Sequence, residues 1–166
     1  AEFDLEHDLD GNSQFVDPGL FLKMVLKQGV LQDRQGVSFA VEGGLLLPSA
    51  IEGEHQTGFE AIGILSGSLD RVTWHLNLGG GVDRIDGTAF GLWGVILEYP
   101  VSEGLSLVTE FNGESLRTEG AENSVLLGVV WEPSSLPDLT LDLGIRRGTS
   151  RAAADWGATA GLTFSF

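Results

Sequence analysis

Strict two-residue alternation constrains this chain more than any other feature, and it is clearest near the C-terminus. In residues 156–166, WGATAGLTFSF, one strand face would carry Trp156, Ala158, Ala160, Leu162, Phe164 and Phe166. The other would carry Gly157, Thr159, Gly161, Thr163 and Ser165, because successive strand side chains point to opposite faces. One face is apolar and the other is small and polar. An apolar strand left at an open sheet edge invites pairing with other chains, and closing the sheet into a barrel removes the edge. A final aromatic residue on the apolar face is also typical of outer-membrane barrels. The expected fold is therefore all-β: a transmembrane antiparallel up-and-down β-barrel, one domain over residues 1–166.

Turn signals divide the chain into ten strand candidates. They are Glu2–Leu9, Gly19–Lys27, Val37–Leu47, Phe59–Ser68, Arg71–Val82, Thr88–Tyr99, Leu105–Leu116, Ser124–Glu132, Leu139–Arg147 and Trp156–Phe166. The ninth is the cleanest, setting Leu139, Leu141, Leu143 and Ile145 against Thr140, Asp142, Gly144 and Arg146. No helical periodicity of useful length competes. The 24 glycines and only 5 prolines among 166 residues suit strands with crowded inward faces. No apolar run reaches eighteen residues, so no transmembrane helix is expected. A mean hydropathy of +0.12 is compatible with barrel strands, whose alternation averages out. No signal peptide is visible, and the opening AEFDLEHDL already alternates, as expected of a mature or truncated chain.

The connections are expected to differ at the two ends. QDRQG (32–36), Leu69–Asp70, PVSEG (100–104) and PSSLP (133–137) read as compact turns. GNSQFVDP (11–18), PSAIEGEHQTG (48–58), DRIDG (83–87), RTEGAEN (117–123) and GTSRAAAD (148–155) read as longer loops. Short periplasmic turns and longer extracellular loops are the outer-membrane pattern, which predicts the outer membrane of a Gram-negative bacterium.

Alternation alone leaves open which face points outward, and a soluble lipocalin-like carrier would bury the apolar set. Three features favour the inverted arrangement. Trp74, Trp93, Tyr99, Trp131, Trp156, Phe164 and Phe166 all fall on the apolar face, as an aromatic girdle at the membrane interfaces would require. The opposite face is rich in Gly, Ser, Thr and Asn. Nine Lys plus Arg is few for a soluble surface. Membrane lipid and lipopolysaccharide are the expected partners, with exposed acids on loops (Glu52, Glu54, Glu119, Glu122) available to cations that bridge lipopolysaccharide. A net charge of −15 leaves no basic patch for nucleic acid.

Four stretches also resemble a family. EYPVSEGLSLVTEFNGES (98–115), LDLGIRRGTSRAAADWGATAGLTFSF (141–166), VTWHLNLGGG (72–81) and GVSFAVEGGLLLPS (36–49) resemble outer-membrane proteins of the MetA-pathway-of-phenol-degradation-like, transporter-like family. The resemblance runs from about residue 15 onward and implies a barrel that takes up small hydrophobic or aromatic molecules. It brings no catalytic residues. Family members carry further strands before the stretch matching AEFDLEHDL, so the chain reads either as a ten-stranded barrel or as the larger part of a twelve-stranded one.

The expected lumen holds Lys23, Lys27, Glu42, Glu60, His75, Glu98, Glu110, Glu114, Asp142 and Arg146. Buried charges need partners. These residues read either as a charged conduction path or as a plug that makes the barrel non-conducting. His7, His55 and His75 lack metal-ligand spacing. DLDGN (8–12) lacks the later acids of a calcium loop. NLGGG (77–81) lies on a strand, where it reads as sharp curvature or close packing inside a small barrel rather than as a phosphate cradle. No cofactor or metal is expected. Ser49, His55 and Asp83 could meet at one rim, but no nucleophile motif accompanies them, and no enzymatic activity is expected.

Overall fold

The computed structural model describes residues 2–7, 13–32, 34–48, 55–116, 120–136 and 138–164. They form one antiparallel sheet of ten strands, each paired with its neighbours in sequence. The strands are β1 (Glu2–His7), β2 (Ser13–Lys27), β3 (Ser38–Leu46), β4 (Gly58–Leu69), β5 (Val72–Val82), β6 (Ala89–Ser102), β7 (Leu105–Leu116), β8 (Gly120–Trp131), β9 (Leu139–Gly148) and β10 (Trp156–Phe164). The one helical element among the described residues is a 3-10 turn, Val30–Gln32.

Each alternating stretch became a strand, but two expected loops did not remain loops. Most of GNSQFVDP lies inside β2, and β8 takes in residues 120–123 of RTEGAEN. The connections at the two ends therefore differ in length less than the spacing of turn residues suggests. One end still carries both two-residue hairpins, Asp70–Arg71 and Glu103–Gly104. These bend through left-handed conformations at Asp70 (φ 51°) and Gly104 (φ 71°), as tight hairpins matching strand twist require.

Register settles the two faces. The rows Phe39–Leu65–Leu76–Val95–Phe111–Val125 and Leu45–Phe59–Val82–Ala89 run across one side. The rows Ser38–Ser66–His75–Ile96–Glu110–Leu126–Arg146–Gly157 and Val25–Ala40–Ile64–Asn77–Gly94–Asn112–Ser124–Gly148 run across the other.

The sheet curls around the second face. Ile62 on β4, Asn77 on β5 and Thr159 on β10 line one cavity. In a flat sheet β4 and β10 would lie about 29 Å apart, six spacings of about 4.8 Å. At the glycine run of β5 the neighbouring backbones leave no room for side chains. A Cβ on Gly79, Gly80 or Gly81 would strike the carbonyl oxygens of Ala61, Phe90 and Phe59 respectively.

The molecule is inside-out by the standard of a water-soluble domain. Among the described residues, the buried ones other than glycines and Pro133 are Ala40, Ser38, Ser66, Arg84 and Ser124. Large apolar side chains stand exposed along the first face, among them Leu22 (77%), Leu69 (73%) and Trp156 (62%). No helix among the described residues is long and apolar enough to cross a membrane.

Candidate functional site: the polar lumen face

Polar and charged side chains of the enclosed face form three groups. Lys23 and Glu42 face each other across β2 and β3, Nζ to Oε2 3.7 Å. Next along the sheet, the Ser66 hydroxyl and His75 Nδ1 lie 2.9 Å apart across β4 and β5. Further round, Asn112 Nδ2 donates to Glu110 Oε1 (2.7 Å), and Ser124 Oγ donates to Asn112 Oδ1 (2.5 Å). This last group bridges β7 and β8.

The third group borders the cavity, which measures about 510 Å³. Glu110, Glu114, Glu122, Arg146, Asn77, Asn112, Ser124 and Thr159 supply its polar wall, and Ile62 and Leu92 supply apolar patches. Glu114 and Glu122 are directly opposed across β7 and β8. Like charges so placed repel, so this part of the wall favours a cationic or neutral visitor. Asn77 Oδ1 has no hydrogen-bond partner among the described residues. Ala153 and Ala154 of the β9–β10 connection close one end of the cavity.

Register gives the sheet face of each residue expected in a lumen. Lys23, Glu42, Glu60, His75, Glu98, Glu110, Glu114, Asp142 and Arg146 all occupy register positions on the enclosed face. Asp142 lies across Gly161 of β10, where a Cβ would meet its carboxylate. Asp142 and Arg146, four residues apart on β9, are not within ion-pair distance of each other. Lys27 is a correction: the ladder shifts between Val25 and Lys27, which pairs Lys27 with Phe39 of the apolar face. A bulge adds one residue and reverses the facing of the residues beyond it. Glu122 is the converse case. It reads as a loop acid in the sequence, yet it stands in β8 on the cavity wall. The alternation Glu122–Ser124–Leu126 was its only signal.

The expected girdle residues that fall within the described side chains lie on the apolar face. Trp74, Tyr99, Trp131 and Phe164 gather toward the end with the tight hairpins, Trp156 marks the opposite end, and Trp93 lies between. Arg71 caps Tyr99: its guanidinium sits 5.0 Å from the ring centroid and donates to Tyr99 Oη and to the Pro100 carbonyl. Phe166 lies outside the described residues, as do Ser49, Glu52, Glu54, Glu119 and the 8–12 segment.

Above the strand ends, the β5–β6 loop folds onto the β3–β4 connection. Arg84 Nη1 donates to the Leu47 carbonyl (2.7 Å), and Gln56 donates its backbone N–H to the Arg84 carbonyl and its side-chain amide to the Ile85 carbonyl. Asp83 accepts from the Ile85 and Asp86 amides and Asp86 from the Thr88 amide. Hydrogen bonds from the Thr88 side chain, then its backbone, hold the Asp86 carboxyl below its ordinary value. The carboxylate of Asp83 thus shapes its own loop.

The Ser66–His75 contact resembles half of a nucleophile–base pair, but Ser66 is only 1% exposed. A nucleophile must reach its substrate, and here the hydrogen bond satisfies a buried hydroxyl. Among the described residues no group of three or more His, Cys, Asp or Glu side chains is placed to hold a metal ion. Comparison with protein-family models, with curated proteins and with solved structures returns no match for this chain.

Proposed function

We propose that this chain is a transmembrane β-barrel of a bacterial outer membrane that lets small solutes pass through a narrow polar lumen. The sorting of side chains carries this reading. Exposed Leu, Val, Phe and Trp cover one face, while Ser38, Ser66 and Ser124 are buried on the other. A soluble carrier has the opposite sorting, with its apolar set enclosed around the ligand. In a bilayer, unpaired backbone groups cost several kcal/mol each, so a spanning sheet must close. Antiparallel pairing of β10 with β1 would close it, and an even strand number permits that pairing.

The solute class follows from the wall. Carboxylates outnumber cations on the enclosed face, and Ile62 and Leu92 stand among them. Such a lumen suits small neutral or cationic molecules, including those with an aromatic or aliphatic body. The family resemblance adds hydrophobic and aromatic compounds to that class.

A second reading is a non-conducting barrel whose lumen is plugged. The Lys23–Glu42 pair and the Glu110–Asn112–Ser124 hydrogen bonds favour it, since both tie adjacent strands together. Reconstitution into liposomes separates the two. Solute swelling or ion conductance above empty vesicles is expected for a passage. A barrel that folds, migrates differently on a gel when heated, and still gives no flux supports the plug. A chain that stays monodisperse without detergent overturns both.

A further inference from the structure

We propose that the outer wall at the β9–β10 hairpin binds a phosphorylated membrane lipid, with its phosphate on Arg147 and an acyl chain in the apolar depression beneath. This inference rests on the membrane reading above. Arg147 breaks the pattern of its face. Register aligns it with Val125 on β8 and Trp156 on β10, both on the apolar side. It is the next-to-last residue of β9, at the margin of that side.

Its guanidinium is stacked on Trp156, 4.7 Å from the ring centroid. Stacking covers one face of the group and leaves its edge N–H donors open, and among the described residues none of them bonds a protein acceptor. Arg71, at the opposite end, differs: two of its donors are engaged, by Tyr99 Oη and the Pro100 carbonyl. An arginine with a fixed plane and a free donor edge is matched to the paired oxygens of a phosphate. The hairpin is itself fastened. Thr149 donates its amide to the Asn123 carbonyl (2.8 Å), and the Asn123 amide donates to Ser150 Oγ (2.9 Å). Exposed Arg151 lies in the same turn, and neither it nor Arg147 has a carboxylate within ion-pair distance among the described residues.

Directly below that arginine lies the second half of the site. A shallow, open apolar depression of about 580 Å³ on this face is lined by Leu127, Leu143, Ile145, Ala158 and Ala160. Ala158 pairs with Ile145, the register position immediately beneath Arg147 and Trp156. A cation at the head of an apolar trough has the shape and polarity of a lipid with a phosphate head and a hydrocarbon tail. Free inorganic phosphate would leave the trough empty, and an uncharged lipid would leave the donor edge unpaired.

Detergent-folded protein, titrated by native mass spectrometry, tests this. The ligands are a phosphatidylglycerol, a lipid A, and a diacylglycerol with the same chains as the phosphatidylglycerol. The wild type is expected to hold each phosphorylated lipid about tenfold more tightly than the diacylglycerol, the size of a charge-assisted hydrogen-bond pair. Arg147→Gln is expected to erase that difference. Ala160→Phe, which fills the trough, should weaken both kinds of lipid. Heat-dependent gel migration confirms that each variant is folded. Equal binding of diacylglycerol and phosphatidylglycerol by the wild type overturns the proposal without need of any variant. Displacement of the lipid by millimolar inorganic phosphate overturns the lipid as occupant. Failure of the wild type to need detergent overturns the membrane reading and this proposal with it.

Discussion

The Ser66–His75 contact is the residue-scale feature with the clearest energetic consequence. Ser66 is buried, and its hydroxyl depends on His75 Nδ1 at 2.9 Å. Removing the imidazole strands that hydroxyl, so His75→Ala should destabilise the folded protein by about 1–3 kcal/mol. Ser66→Ala in the same chain should recover part of the loss, because no polar atom is then left unpaired. Urea unfolding in detergent, followed by tryptophan fluorescence, measures both. The second residue is Asp86, in the loop outside the strands. Its folded carboxyl titrates below the ordinary value of 3.8 because Thr88 donates to the ionised form. A depressed acid contributes stability that is present above its unfolded value and lost as pH falls through the folded one. The Asp86–Thr88 hydrogen bonds should therefore persist to lower pH than an ordinary exposed aspartate would allow, and be lost as the pH falls through the depressed folded value. The carboxyl carbon shift in an NMR titration should show a midpoint lower than that of an exposed aspartate.

At the scale of the element, aromatic rings lying on cross-strand glycines hold the sheet in register. Trp74 covers Gly67, where a Cβ would land on the ring, and at Gly113 a Cβ would meet both Asn123 Oδ1 and the Trp93 ring. Gly113→Val should push Trp93 off its strand partner and cost about 1–3 kcal/mol, the usual range for overpacking. A red shift of tryptophan emission would accompany the lower unfolding midpoint. The glycine run 79–81 acts differently, by letting the backbones of β4, β5 and β6 approach closely. The close backbone approach was legible in three adjacent glycines on a strand. The ten strands were legible too, because a strand with one apolar and one polar face writes its period directly into the sequence. Boundaries were less legible, and for one physical reason. Strand residues on a polar face have the composition of loops, so 120–123 and the start of β2 read as connections. Lys27 shows the other limit, since a bulge has no composition of its own. Arg147 shows a third. A single charge at the end of an apolar row looks like the end of the strand, until register places it beside Trp156.

For the whole molecule, if the sheet closes around its polar face as proposed, that face sets what could pass. Among the described residues, Glu110, Glu114 and Glu122 share the wall of one cavity with a single cation, Arg146. If the lumen conducts, that wall should make it prefer cations. The magnitude is set by Coulomb's law. A mobile ion passing about 6 Å from one carboxylate in water gains roughly 0.7 kcal/mol, about a threefold enrichment. A planar bilayer holding the protein between unequal potassium chloride solutions should therefore show a reversal potential of the sign set by potassium. Glu114→Gln together with Glu122→Gln should reduce the cation-to-anion ratio several-fold and leave folding intact, because the two carboxylates repel each other across β7 and β8. Arg146→Gln should move the ratio the opposite way. Raising the salt from 0.1 M to 1 M should flatten all three effects, since the screening length falls from about 10 Å to about 3 Å. A conducting barrel whose selectivity ignores these substitutions would mean that ions take another route. A silent barrel that the double variant stabilises would identify the same carboxylates as a strained part of a plug.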